Sequence, residues 1–439
     1  MVSQVPLLVV VGYVWPEPNS SAAGYRMLSL LKLYLAQGWQ VVFASAAEPG
    51  MHRYPLAELG VIEQQIALND SSFDNWITAL NPQAVLFDRF MLEEQFGWRV
   101  EQACPEALRI LDMEDCHALR AAREQCAKTT AALDAAALNS ELALREIAAI
   151  YRCDITLVIS SYEMQLLQQH YQVPAALLCY CPFLLEQEPT PNRLKFDQRE
   201  HFVAIGNFRH APNWHAVLWL KQQIWPLIRA RLPQAQLHIY GAYPPPKATA
   251  LHNVRDGFLV KGWAEDACVV MEQARVCLAP LAFGAGLKGK LLDAMRCGTP
   301  SVTTDIGAEG MQPDGASVQA DNPDQRLWAG IIANDAKGIA EAAVKLYQQP
   351  ELWSRCQQQG YAIVTEKFML AAHQTRLWQQ LEQVRQQLEL HRQHNFTGLM
   401  LRHHAYRSTK FMGQWIEAKN RLGASTAAEP DAVPAPEAN

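Results

Sequence analysis

The 439-residue chain lacks a long hydrophobic run near its start. Leu7–Val11, with Gly12, Tyr13 and Val14 after it, has the length of a strand, far short of the roughly 20 residues of a membrane-crossing helix. No basic stretch precedes it, which argues against a secretory leader. Positive charge is not in excess either. The 38 Lys and Arg face 44 Asp and Glu, a net charge of −6, so no basic field points to nucleic acid. Ten cysteines are scattered, and Cys179 and Cys181 form a C-x-C with no second pair at zinc spacing. A reduced, cytoplasmic protein without a bound metal is the expectation. Its 49% apolar and 19% charged residues are those of an ordinary globular chain of two or three domains.

What is present is a repeated alternation of strands and helices. Apolar runs at Leu7–Tyr13, Val41–Ala44, Ala84–Phe87, Leu108–Leu111, Ile155–Ile159 and Ala176–Cys179 are continuous, as in parallel strands buried on both faces. Helical patterns such as Ala22–Leu35 and Glu141–Tyr151 separate them. The second half repeats the scheme with Phe202–Ile205, Gln236–Tyr240, Phe258–Val260, Val276–Ala279 and Ser301–Thr304. A helix opening near Asn213 is predicted to line up Val217, Leu220, Ile224 and Leu227 on one face. The expected architecture is α/β: a domain over 1–185, a Pro-containing linker over 186–199, a second domain over 200–360, helices over 361–422 and a disordered Ala/Pro/Glu-rich tail over 423–439. Thr365–His394 reads as one long packing helix with Leu370, Leu377, Leu381, Val384 and Leu388 in a stripe.

Gly284-Ala285-Gly286-Leu287-Lys288-Gly289-Lys290 follows a strand and precedes a short helix ending before Gly298 and Pro300. Glycines let backbone N–H groups approach a ligand, and a helix start carries partial positive charge. With Lys288 and Lys290 this is an anion site. As G-x-G-x-x-G it matches a dinucleotide fingerprint, with Glu309 lying 20 residues beyond Gly289. That reading fits poorly, because the loop sits deep in the second domain. As G-x-x-x-x-G-K it matches a P-loop, but Leu291 stands where Ser or Thr would hold magnesium. A tight turn with solvated lysines is the plain alternative.

The stretch Gly284–Val302, continued by Ile306-Gly307-Ala308-Glu309-Gly310, resembles the donor-site motif of retaining glycosyltransferases of family 4 (group 1 glycosyl transferases). Ile205-Gly206-Asn207-Phe208-Arg209-His210 extends the match, which is specific over about 200–312. The resemblance implies a GT-B fold of two Rossmann-like doubly wound domains facing a cleft. It also implies a nucleotide-sugar donor, retention at the anomeric carbon and no required metal or other cofactor. Arg209 and Lys288 match the family's two diphosphate-binding cations. Gly206, Asn207, Gly284, Gly286 and Leu287 fall on the donor side. Of the family's two glutamates eight positions apart, the second, on the nucleotide ribose, is Asp293 here. The first, on the donor sugar, is Ala285; the backbone at Gly286 and Leu287, or Glu309, is the candidate replacement.

On the first domain the resemblance matches Gly24 only loosely, with a helix start capped by Ser20 or Ser21 as the plain reading. His117, in Asp112-Met113-Glu114-Asp115-Cys116-His117, follows a strand and faces the cleft, where related enzymes place a functional histidine near the reacting sugar. Asp88 borders the same rim. The acceptor is expected to be a glycan or a lipid-linked molecule, with no nucleic-acid partner. The basic, aromatic-bearing segment 397–421 suits either packing on the first domain or contact with an anionic membrane surface at the inner face. Two rival functions stay open: a sugar-nucleotide epimerase, and a non-catalytic nucleotide-sugar-binding subunit, which Ala285 favours.

Overall fold

The computed structural model describes residues 5–129, 131–189, 194–312 and 328–426. The first sheet holds β1 (Leu7–Gly12), β2 (Gln40–Ser45), β3 (Ile62–Gln65), β4 (Ala84–Asp88), β5 (Leu108–Asp112), β6 (Ile155–Val158) and β7 (Leu178–Tyr180). Its order is β3-β2-β1-β4-β5-β6-β7, all parallel. The second holds β8 (Glu200–Ile205), β9 (Leu237–Tyr240), β10 (Phe258–Gly262), β11 (Ala274–Ala279), β12 (Ser301–Thr303) and β13 (Gly330–Ile332), in the parallel order β10-β9-β8-β11-β12-β13.

The strand sequences explain this arrangement. Val9, Val11, Val85 and Phe87 enter one core of the first sheet, while Leu8, Val10, Leu86 and Ile110 enter the other. Helices cover both faces, so the strand positions are mostly apolar, and the buried polar exceptions, such as Asp88 and Asp112, sit at the strand ends or in ion pairs. β3 escapes the sequence reading for the converse reason. It is an edge strand, Ile-Glu-Gln-Gln, with Ile62 exposed.

Two helical expectations change. The helix after β8 runs over Ala211–Trp219, passes through a wide turn at Leu220–Ile224 and resumes over Trp225–Arg231. That turn closes i→i+5 hydrogen bonds and so rotates the following face. Leu227 is therefore 43% exposed and Ile228 is buried in its place. The predicted single helix over Thr365–His394 is three. A helix over Pro350–Lys367 packs in the second domain, and helices over Leu370–Gln386 and Leu388–His394 follow. Met369 is extended at the first break, where the Leu185 amide donates to the Phe368 carbonyl and the Leu370 amide to the Leu185 carbonyl, each at 2.8 Å. There the chain crosses back to the first domain, where Leu377, Leu381, Val384 and Leu388 join its core.

The last helix, Phe396–Thr426, lies on Phe90–Ala103 and Glu141–Arg152. Residues 423–426, expected in a disordered tail, belong to this helix; 427–439 lie outside the described residues. Among the described residues no helix is long and apolar enough to cross a membrane.

Candidate functional site

Each sheet reverses its winding at one point, between β1 and β4 in the first and between β8 and β11 in the second. Crevices outside the carboxyl ends of strands at such points are where α/β sheets hold ligands. The glycine loop leaves β11 at this point of the second sheet. Gly286 has φ +64, a left-handed conformation that favours glycine. A Cβ there would stand 2.7 Å from Cβ of Asp115 in the first domain, so the loop touches the opposite wall. The Gly286 amide donates to Glu163 Oε1 at 2.7 Å, and Lys288 Nζ donates to the Gly286 carbonyl at 2.6 Å. Lys288 is only 7% exposed, and burial pulls its pKa down. The helix Gly289–Arg296 starts at once, so loop amides, a buried ammonium and a helix N-terminus converge.

The end of β8 carries the other residues that the resemblance places on the donor side. The Asn207 amide donates from Nδ2 to Ser20 Oγ of the first domain at 3.2 Å, and its Oδ1 accepts the Arg209 N–H at 2.9 Å. Gly206 is closely packed: a Cβ there would meet the Asn213 side-chain amide at 2.6 Å. Asn213 Oδ1 accepts a hydrogen bond from Lys290 Nζ at 2.5 Å, and burial brings the Lys290 ammonium down to about 8. Arg209 is exposed and lies 3.6 Å above the centre of the Tyr243 ring. The Tyr243 hydroxyl donates to Glu17 Oε1 at 2.7 Å, across the domains, and burial with that carboxylate pushes it up to about 12. Arg209 and Lys288 thus enter from different strand ends and are each engaged elsewhere. Asp293 pairs with Arg296 at 3.4 Å, and burial raises its carboxyl above the ordinary range.

On the first domain, β4 and β5 end in Asp88 and Asp112, followed by Glu114 and Asp115. Arg26 forks onto Asp112 from Nε and Nη2 at 3.0 and 2.8 Å. Glu114 has φ +61 and a buried Oε1 without a hydrogen-bond partner among the described residues; burial and neighbouring Asp112 push it to about 8. Glu163 reaches a similar value through burial and Asp115. His117 Nδ1 is 2.9 Å from the Asp115 carbonyl oxygen, and its ring meets Phe90 edge-on. The Gly24 amide donates to Ser21 Oγ at 3.0 Å, capping the helix Ala22–Ala36, so that amide is used locally.

Two residues at the loop escape sequence reasoning. Arg123, on the helix His117–Thr129, donates to the Gly284 carbonyl at 2.9 Å and to both oxygens of Glu309 at 2.8 and 2.7 Å. This ties up the carboxylate considered as a replacement for the missing glutamate. Glu163 meets the loop from the first domain. Neither position carries a sequence signal, since both contacts span more than 100 residues of chain. Ala285, where the resembling family has glutamate, packs against the first domain's apolar core.

Two Rossmann-like domains meeting across switch-point loops, with helices returning to the first domain, define the GT-B fold. Residues 199–349 match the family described as glycosyl transferases group 1. Sucrose-phosphate synthase of Thermosynechococcus elongatus superposes with a TM-score of 0.62 at 17% identity, over 86% of this chain and 99% of its own. Anabaena HepE, solved with UDP and glucose, gives 0.62 at 11% identity, over 86% and 100%. The pneumococcal O-GlcNAc transferase GtfA, solved with UDP and GlcNAc, gives 0.60 at 11%, over 87% and 99%. No curated protein sequence matches the chain significantly.

Proposed function

We propose that this protein transfers a sugar from a nucleoside diphosphate sugar to a glycan or lipid-linked acceptor, with retention and without a required metal. The observation carrying this reading is Lys288. It is a buried ammonium on a glycine loop at a helix start, at the switch point of the sheet whose segment matches the group 1 family. Breaking the glycosyl–phosphate bond develops charge on the departing diphosphate. A preorganised cation and backbone dipoles aimed there lower the barrier, because they need no reorganisation as the charge grows. Lys288 and the Gly286–Leu287 amides would take the diphosphate oxygens, with Arg209 at the rim. Asp293 would accept from the ribose. His117 and Asp88 would line the acceptor side.

The two domains touch through Glu163–Gly286, Arg123–Glu309, Asn207–Ser20 and Tyr243–Glu17. Donor entry then requires these contacts to part and re-form, the closure step of a hinge enzyme. A cytoplasmic location with peripheral contact of 397–421 at an anionic membrane face belongs to the same proposal. The last helix docks on the first domain yet leaves Phe411, Met412 and Trp415 exposed.

Thermal unfolding with UDP, GDP and ADP tests the reading. A ligand binding only the folded state adds about 2.7 kcal/mol at a hundredfold excess over Kd. One of the three is expected to raise Tm; no shift with any of them rejects the donor site. Arg209→Ala is expected to cut turnover about tenfold, less than loss of a buried donor. Since Arg209 is exposed, its stability cost should stay within about 0.5 kcal/mol. Unchanged turnover would remove Arg209 from the donor machinery. Product formed without any acceptor would identify an epimerase, and binding without turnover a non-catalytic subunit.

A further inference from the structure

Remote from the cleft, between the last helix and Phe90–Ala103, lies a cavity of about 300 Å³, lined in part by Trp98, Glu101, Arg402, Tyr406, Arg407 and Lys410. One water occupies roughly 30 Å³ in the liquid, so the cavity takes a polyatomic group. The charge cluster that includes its lining residues Arg402 and Glu101 is unbalanced. Arg109, Arg392 and Arg402 share two carboxylates, Glu101 and Asp154. Arg392 holds Asp154 at 2.8 Å and Arg109 reaches Glu101 at 3.0 Å, which leaves Arg402 with those same carboxylates only at 3.9 and 4.0 Å.

Arg402 is 4% exposed, and its Nε and Nη1 have no hydrogen-bond partner among the described residues. Burial and the adjacent Arg109 both oppose its charge. A buried guanidinium with unused donors is costly unless an anion completes it. At the mouth, Arg407 and Lys410 add positive charge and the exposed Leu399 offers apolar surface, while the largely buried Trp98 forms part of the wall.

We propose that this cavity binds the phosphate of an anionic phospholipid headgroup, with Arg402 as its floor donor and Arg407 and Lys410 at its rim. The planar guanidinium fork matches phosphate oxygens, and the exposed Phe411 and Trp415 of the same helix suit the interfacial region of a bilayer. The inference rests on the proposed membrane contact of 397–421 and is independent of the transferase reading.

Co-sedimentation of the full chain with vesicles tests it. Binding to phosphatidylcholine vesicles holding about 30 mol% phosphatidylglycerol is expected to exceed binding to pure phosphatidylcholine, by about fivefold for each basic residue engaged. Arg402→Met, and separately Arg407→Glu with Lys410→Glu, should abolish the preference. The rim pair keeps the test valid if the buried change disturbs folding. The nucleoside diphosphate shift in Tm should persist in both variants. Anionic-vesicle binding that survives both sets of changes would uphold the membrane contact but overturn the pocket. Wild-type indifference to vesicle charge would overturn both. Inorganic phosphate raising Tm through Arg402 without vesicle binding would assign the cavity to a soluble phosphate ester and overturn the lipid.

Discussion

Lys288→Ala is expected to lower kcat by about two orders of magnitude, the usual consequence of removing one preorganised donor from a developing oxyanion. The size follows from where the ammonium sits. It is nearly inaccessible to water, 2.6 Å from the Gly286 carbonyl, with the Glu309 carboxylate sustaining its charge against burial. In such surroundings a cation acts on nearby charge with little screening. Its partner grows more negative as the reaction proceeds, so kcat should fall more than KM rises. The fold should tolerate the change, because Glu309 stays paired with Arg123 and Glu163 keeps the Gly286 and Cys116 amides. Diphosphate release measured at saturating donor checks this. A kcat within a factor of about three of the parent would show that catalysis does not pass through this loop.

Asp112→Ala should be the most destabilising single change we can name, costing about 3–5 kcal/mol. Arg26 and Asp112 are 2% and 0% exposed. The guanidinium forks onto the carboxylate and also donates to the Cys181 carbonyl at 2.5 Å, tying the first helix to β5 and to the segment after β7. Removing the carboxylate strands a positive charge in the core. The exposed pair Arg145–Glu94 is an internal control: Arg145→Ala should cost about 0–1 kcal/mol, because water screens the pair and solvates whichever partner is left. Urea midpoints of the two variants decide the matter. Equal midpoints would mean that Arg26 finds other solvation and that the pair does not brace the switch point.

The glycine loop is legible in the residues alone because its signal is local. Two glycines, two lysines, a preceding strand and a following helix lie within a short stretch, and backbone sterics with helix polarity act over that range. The buried strands are legible for a similar reason, since burial on both faces leaves continuous apolar runs. Periodicity misplaces Leu227 because one wide turn at Leu220–Ile224 changes the helical phase, and no periodicity rule contains that turn. It overextends the helix over Thr365–His394 because the break at Met369 answers to Leu185, far away in sequence.

By itself the sequence determined two doubly wound domains, and it marked out the strand–loop–helix unit that carries Lys288. Only the tertiary structure decided that Glu163 and Arg123 of the first domain grip that loop, that Glu309 is already paired, and that Arg402 lies buried beneath a basic rim. The division has a physical cause. Secondary structure and turns follow from interactions between neighbours along the chain, whereas charge compensation in a cleft depends on which surfaces two closing domains bring together.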